Sequence, residues 1–151
     1  MGREIERKFL TASDAWRAGA EGVRIRQGYL GDAPACTVRV RLAGDRAWLT
    51  VKGPTRGATR DEFEYPVPAG EAVEMLDRLC TAILEKTRYR IPFGGRTWEV
   101  DEIHGANAGM VLAEIEIEGE DAKVELPPWI GPEVTGDPRY YNSNLASKAR
   151  A

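Results

Sequence analysis

Cysteine and histidine are nearly absent from this chain: two Cys, Cys36 and Cys80, and one His, His104, among 151 residues. Two thiols so far apart, with no Cys-x-x-Cys spacing, supply neither a disulfide framework nor a thiolate zinc site. A reducing cytosol is the simplest home. No stretch approaches the roughly 18 apolar residues of a membrane helix. The N-terminus opens on charge rather than on an apolar secretory core, so the expected location is cytoplasmic, with no membrane partner. A basic excess is missing too: 21 Lys and Arg against 24 Asp and Glu leave a net charge of −3. That balance argues against a general binder of nucleic acid or acidic membrane, and any anion site must be locally basic. The chain is large enough to bury one core unaided. It contains no linker, no repeat of constant period and no low-complexity tract, so residues 1–151 read as a single domain.

What the chain does have is alternation. Glu4-Ile5-Glu6-Arg7-Lys8 opens a pattern that returns as Val38-Arg39-Val40-Arg41-Leu42, Leu49-Thr50-Val51-Lys52, Glu62-Phe63-Glu64-Tyr65, Lys86-Thr87-Arg88-Tyr89-Arg90-Ile91, Trp98-Glu99-Val100-Asp101 and Ala113-Glu114-Ile115-Glu116-Ile117-Glu118. Residues i, i+2 and i+4 of a strand share a face, so each segment carries charge on one side and, mostly, carbon on the other. Trp48, on the Thr50 and Lys52 face, is an exception.

Eight strands are expected, near 3–9, 23–30, 36–43, 46–52, 61–67, 83–91, 97–103 and 110–118. Turn signals divide them at Gly31-Asp32-Ala33-Pro34, Ala43-Gly44-Asp45, Gly53-Pro54 and Gly94-Gly95. Between the fifth and sixth, Ala72, Val73, Leu76, Leu79 and Cys80 fall at helical spacing within residues 68–81. Weaker helical signals follow Ser13, span Glu120 to Lys123, and run from Asn142 or Ser143 to the end. The expected fold is α+β, an eight-stranded antiparallel barrel with a few flanking helices.

Which face points inward decides the function. A solvated surface mixes charge signs to limit repulsion, whereas here some strands carry only carboxylates and others only Lys and Arg. The sorting favours charge inside. Drying such an interior would cost several kcal/mol per ion, so the bore should hold water, cations and an anion. Side chains at i and i+2 lie about 7 Å apart. Glu4/Glu6, Glu99/Asp101 and Glu114/Glu116 therefore repel until a divalent ion sits among them, and oxygen-only donors favour Mg²⁺ or Mn²⁺. Converging Arg and Lys suit a phosphate chain. The natural guest is a metal-bound polyphosphate.

Glu4-x-Glu6-x-Lys8 resembles the N-terminal signature of the CYTH, or triphosphate tunnel metalloenzyme, superfamily. Arg39/Arg41, Lys52, Glu62/Glu64, Lys86/Arg88, Glu99/Asp101 and Glu114/Glu116 follow in that family's order. Gln27-Gly28-Tyr29-Leu30 and Glu85-Lys86-Thr87-Arg88-Tyr89 resemble its short bacterial, inorganic-triphosphatase-like members, as does Trp129 through Ala146. The resemblance implies an eight-stranded tunnel and metal-dependent hydrolysis of tripolyphosphate to pyrophosphate and phosphate. It implies metal ligands among Glu4, Glu6, Glu99, Asp101, Glu114 and Glu116, with one ion orienting substrate and a second, near Glu99 and Asp101, activating water. Lys8, Arg39, Arg41, Lys52, Lys86 and Arg88 would bind substrate; Tyr29 reads as a packed residue with a polar tip, and the resemblance offers it a role in substrate binding at the tunnel mouth. Glu4, Glu6, Lys8, Lys52, Lys86, Glu99 and Asp101 would carry catalysis.

Other readings stand beside these. Glu62 and Glu64 are equally read as ion-pair partners of lumen arginines, and Glu118 and Arg90 as rim residues. His104 reads as a loop residue, and Trp16, Trp98 and Trp129 as packing outside the barrel beneath helices. Near Asn142, where relatives often place a basic residue, Lys148 could substitute. A class IV-type adenylate cyclase, an organic triphosphatase and a non-catalytic polyphosphate-binding module are the alternative functions. Apolar outer faces leave room for a homodimer.

Overall fold

A computed structural model describes residues 2–31 and 35–150, with side chains through 147. The expected turn at Asp32 to Pro34 and the side chain of Lys148 lie outside the described residues. Nine strands and two helices follow one another as β1 (Arg3–Thr11), β2 (Gly22–Tyr29), β3 (Thr37–Ala43), β4 (Arg46–Lys52), β5 (Thr59–Val67), α1 (Ala69–Arg78), β6 (Ala82–Phe93), β7 (Arg96–Ile103), β8 (Val111–Glu116), β9 (Ile130–Glu133) and α2 (Asn142–Arg150). The strands pair antiparallel in the order β5-β4-β3-β2-β6-β7-β8-β1, and β1 returns to β5 through Glu4 opposite Arg60. Eight strands thus close a barrel, as the alternation predicted.

Closure is short on one side. Among the described residues the ladder with β5 is limited to Arg3, Glu4 and Ile5, and beyond them β9 takes over the same edge of β1, with Phe9 opposite Glu133 and Thr11 opposite Ile130. Glycine makes the tight hairpins: Gly44 between β3 and β4, and Gly94-Gly95 between β6 and β7, adopt the positive φ that two-residue turns require.

Apolar side chains pack mainly on the outside of the barrel. Phe9, Trp98, Val100, Ala113 and Ile115 face out from β1, β7 and β8 and join Trp16 and Trp129 in one buried cluster. Val40 and Ala47 face out from β3 and β4 beneath Ala72 and Leu76 of α1. Where Cys80 follows that helix, β2 needs Gly28, because a Cβ there would meet the Cys80 sulfur at 2.6 Å. A third cluster stands at one end of the barrel interior: Leu84, Ile103 and Leu112 occupy inward positions next to the charged rows, and α2 covers them with Leu145 and Ala146.

Two expectations need correction. Glu120 to Lys123 forms a turn leading into a segment without regular secondary structure rather than a helix, and Ala122 and Val124 lie along the outer cluster as its cover. Trp16, Trp98 and Trp129 are buried outside the barrel as read, but their cover is that segment and the short 3₁₀ turn Ala15–Arg17 rather than α-helices.

Candidate active site

Charge fills the middle of the barrel. A cavity of about 270 Å³ is lined by Glu4, Glu6 and Lys8 of β1, Arg39 and Arg41 of β3, Lys52 of β4, Glu62 and Glu64 of β5, Lys86, Arg88 and Arg90 of β6, Glu99 of β7, and Glu114 and Glu116 of β8. These are the alternating positions, and strand parity is what gathers them. Tyr29 lines the same cavity, as do Arg60, Asn142 and Thr135, which the sequence reading did not single out.

The signs separate by sector. On the β1–β8 side, Glu6 stands directly opposite Glu116, and on the β7–β8 side Glu99 stands opposite Glu114. Like charges directly opposite across a ladder destabilise a sheet. The cost shows in the carboxyls' affinity for protons. Burial pushes the Glu6 carboxyl well above its ordinary range, with Glu114 and then Glu4 adding to the push. Glu6 shares a hydrogen bond with Glu114, which stays low despite its burial because Lys8, Arg88 and Lys86 surround it. Glu4 is raised as well, by burial first, and is hydrogen-bonded to Glu62 while Lys52 opposes the shift. Burial, then Glu4 and Glu99, raises Glu116.

Among the described residues no three carboxylate, imidazole or thiol groups stand close enough together to enclose a metal ion as they are. The donor chemistry nevertheless fits a hard divalent cation. Glu4, Glu6, Glu114 and Glu116 offer oxygen only, and the mutual repulsion that adds to burial in raising Glu4, Glu6 and Glu116 is what a divalent cation among them would relieve.

Cations dominate the facing sector. Arg39 donates to Thr50 Oγ1 at 3.2 Å and approaches Glu64 at 3.5 Å, while its Nε is buried with no partner. Among the described residues no carboxylate lies within ion-pair distance of Arg41; its Nε donates to Gln27 Oε1 at 3.0 Å. Burial, with Arg39 and Arg88 nearby, depresses that guanidinium to about 9. Lys52 lies between Glu4 at 3.2 Å and Glu62 at 3.3 Å. Lys8 donates from Nζ to the Tyr140 carbonyl at 3.0 Å and stands 3.7 Å from Glu114.

Asp101 is held differently from the other carboxylates. It is fully buried and accepts from Lys86 at 2.8 Å and from Arg88 Nε and a terminal nitrogen at 2.8 and 2.9 Å. Burial opposes its ionisation, but Lys86 and Arg88 more than compensate and hold it at about 2. Lys86 is depressed to about 7 by burial first, with Arg88 and Arg41 adding to the effect and Asp101 opposing it. Glu99 pairs with Arg88 at 3.3 Å and with Arg90 at 3.2 Å.

Glu64 therefore meets a lumen arginine, Arg39, as one of the two readings has it, whereas the partner of Glu62 is Lys52. Arg90 lines the cavity although it is mostly exposed. Glu118 pairs outside the bore with Arg96. His104 contacts Thr87 on the outer face of β6 at 2.7 Å.

The model of the CYTH domain matches residues 2–147. An inorganic triphosphatase of Acetivibrio thermocellus is 53% identical over 146 residues, 96% of this chain and 94% of that protein. An inorganic triphosphatase of Nitrosomonas europaea is 36% identical over 149 residues, 95% of this chain and 96% of that protein. A crystal structure of an inorganic triphosphatase superposes with a TM-score of 0.69 at 33% identity, covering 95% of this chain and 97% of the other. A Pyrococcus horikoshii protein shares the fold alone, with a TM-score of 0.60 at 19% identity over 78% of this chain and 80% of its own.

Proposed function

The chain belongs to the CYTH domain family, and from that premise we propose that it hydrolyses inorganic tripolyphosphate to pyrophosphate and phosphate inside the barrel, with Mg²⁺ or Mn²⁺. Support comes from sequence kinship to inorganic triphosphatases along nearly the whole chain. The observation that carries the reading is the split lining: cations without full compensation, Arg41 and the Nε of Arg39, face a crowded carboxylate sector. A polyanion supplies the missing negative charge and a divalent cation the missing positive charge.

Arg39, Arg41, Lys86 and Arg88 hold the non-bridging oxygens, the guanidiniums in a planar fork and the ammonium as a point charge. Lys8 and Lys52 stand between the sectors, where they stabilise charge gathering on the departing pyrophosphate. Tyr29 contributes its hydroxyl at the apolar end of the cavity. Glu4, Glu6, Glu114 and Glu116 hold the metal, which when bound neutralises phosphate charge and orients the substrate. Assigning Asp101 to a second ion would require it to release both Lys86 and Arg88. We therefore give Asp101 the task of fixing those two cations, and Glu99 the task of steering Arg88. Phosphoryl transfer rewards such positioning, because the protein has little covalent chemistry to perform.

Phosphate release from tripolyphosphate, ATP and thiamine triphosphate, each with Mg²⁺ and with Mn²⁺, tests the proposal. Tripolyphosphate is expected to turn over at least about tenfold faster than either organic triphosphate, a margin of about 1.4 kcal/mol, and EDTA is expected to stop it. Faster release from ATP would overturn the substrate, and tight binding without release from any of them would identify a polyphosphate-binding module.

A further inference from the structure

Two of the bore cations are joined by a pair of neutral amides, one buried in β2 and one at the cavity wall. Gln27, fully buried on β2, accepts from Arg41 Nε at 3.0 Å and donates from Nε2 to the Tyr29 hydroxyl at 2.8 Å and to Asn142 Oδ1 at 3.3 Å. Asn142 Oδ1 also accepts from Lys86 Nζ, at 2.7 Å. The direction of every bond follows from chemistry. A guanidinium can only donate, so Gln27 must turn its carbonyl to Arg41 and its NH₂ the other way. A protonated Lys can only donate as well, so Asn142 must turn its carbonyl to Lys86 and Gln27. A flip of either amide would set donor against donor in a buried place. Register explains the choice of strand: Gln27 lies directly opposite Arg41 on β3 and one inward row from Lys86 on β6.

We propose that Gln27 is a positioning residue which, through Asn142, sets the Arg41 guanidinium and the Lys86 ammonium at fixed separation for neighbouring phosphates, without neutralising either. A carboxylate at position 27 would hold Arg41 more tightly but would take the place of the substrate's charge; an amide orients the cation and leaves its charge available. The relay also fastens the first residue of α2 to the bore, so docking of that helix and placement of Lys86 are one event. This inference rests on the tripolyphosphate reading.

Calorimetric titration with tripolyphosphate in EDTA, where turnover is silent, tests it on the full chain. Q27M is expected to weaken binding about tenfold, equivalent to about 1.4 kcal/mol, and N142L by a similar factor. Q27E is expected to weaken it further than Q27M, although a carboxylate restores the acceptor for Arg41. In an R41Q background, Q27M is expected to cost clearly less than the tenfold it costs alone, since one of the two cations it orients is gone. Equal binding by wild type, Q27M and N142L would overturn the assignment, as would Q27E that binds like wild type or full additivity with R41Q. Wild-type protein that does not bind tripolyphosphate in EDTA would overturn this inference, and absence of metal-dependent phosphate release as well would overturn the functional reading with it. Should Q27M fail to fold, N142L and the Q27E comparison decide the matter.

Discussion

Glu6→Gln is expected to cut tripolyphosphate turnover by about 100-fold or more while leaving the barrel folded, and to stabilise the metal-free protein at neutral pH. The loss follows the magnitude usual for removing one preorganised group from the transition-state field: Glu6 stands between Glu4 and Glu116 in the sector assigned to the metal. The stabilisation follows from the raised carboxyl. Between its ordinary value and its higher folded value, the native state holds a proton that the unfolded chain releases. Stability therefore falls as pH rises through that window. A glutamine carries its hydrogens at any pH and still donates to Glu114, so the variant lacks this slope. Melting curves in EDTA from about pH 5 to about pH 8 should show wild type losing more stability than E6Q. An E6Q enzyme that retains wild-type turnover would remove Glu6 from the site, and parallel pH slopes would refute the buried carboxyl pair.

Asp101→Asn is expected to destabilise the protein by roughly 3–5 kcal/mol, the cost of removing one partner from a buried ion pair, and to lower the melting temperature by on the order of 10 °C. Both oxygens of Asp101 are occupied by Lys86 and Arg88, and its side chain is 1% exposed. Asparagine offers one acceptor and turns an NH₂ toward a cation. Glu99 and Asn142 still reach Arg88 and Lys86, so the loss is partial rather than total. Acid acts on the same group. With a folded value near 2 against an ordinary 3.8, the contribution of Asp101 is fully present above the ordinary value and disappears as pH falls through the folded one. Thermal melting of D101N in EDTA checks the assignment. Unchanged stability combined with weaker metal binding would return Asp101 to the metal ligands.

That distinction between ligand and ion-pair partner was beyond the reach of sequence pattern. Alternation told which side chains share the interior, because parity depends on local geometry alone. Whether Asp101 meets a metal or a guanidinium depends on the β6–β7 register, which places Arg88 directly across from it. Arg60 was legible: it extends the Glu62 and Glu64 face by one step, and it lines the cavity. Asn142 carried no local signal for its role, since it enters the bore only when α2 docks. Strand β9 was missed for a physical reason. Ile-Gly-Pro-Glu is a poor strand sequence, and it pairs because β5 leaves the edge of β1 open there. Gly131 suits that approach, with the Leu10 carbonyl 3.0 Å from where a Cβ would stand.

Anomalous scattering at the manganese edge, from crystals grown with Mn²⁺ and a non-hydrolysable tripolyphosphate analogue, tests most directly whether the charged bore is the reaction chamber. The expected map places manganese among Glu4, Glu6, Glu114 and Glu116 and the phosphates against Arg39, Arg41, Lys86 and Arg88. Manganese and analogue bound on the outer surface, with the bore side chains still paired to one another, would contradict it.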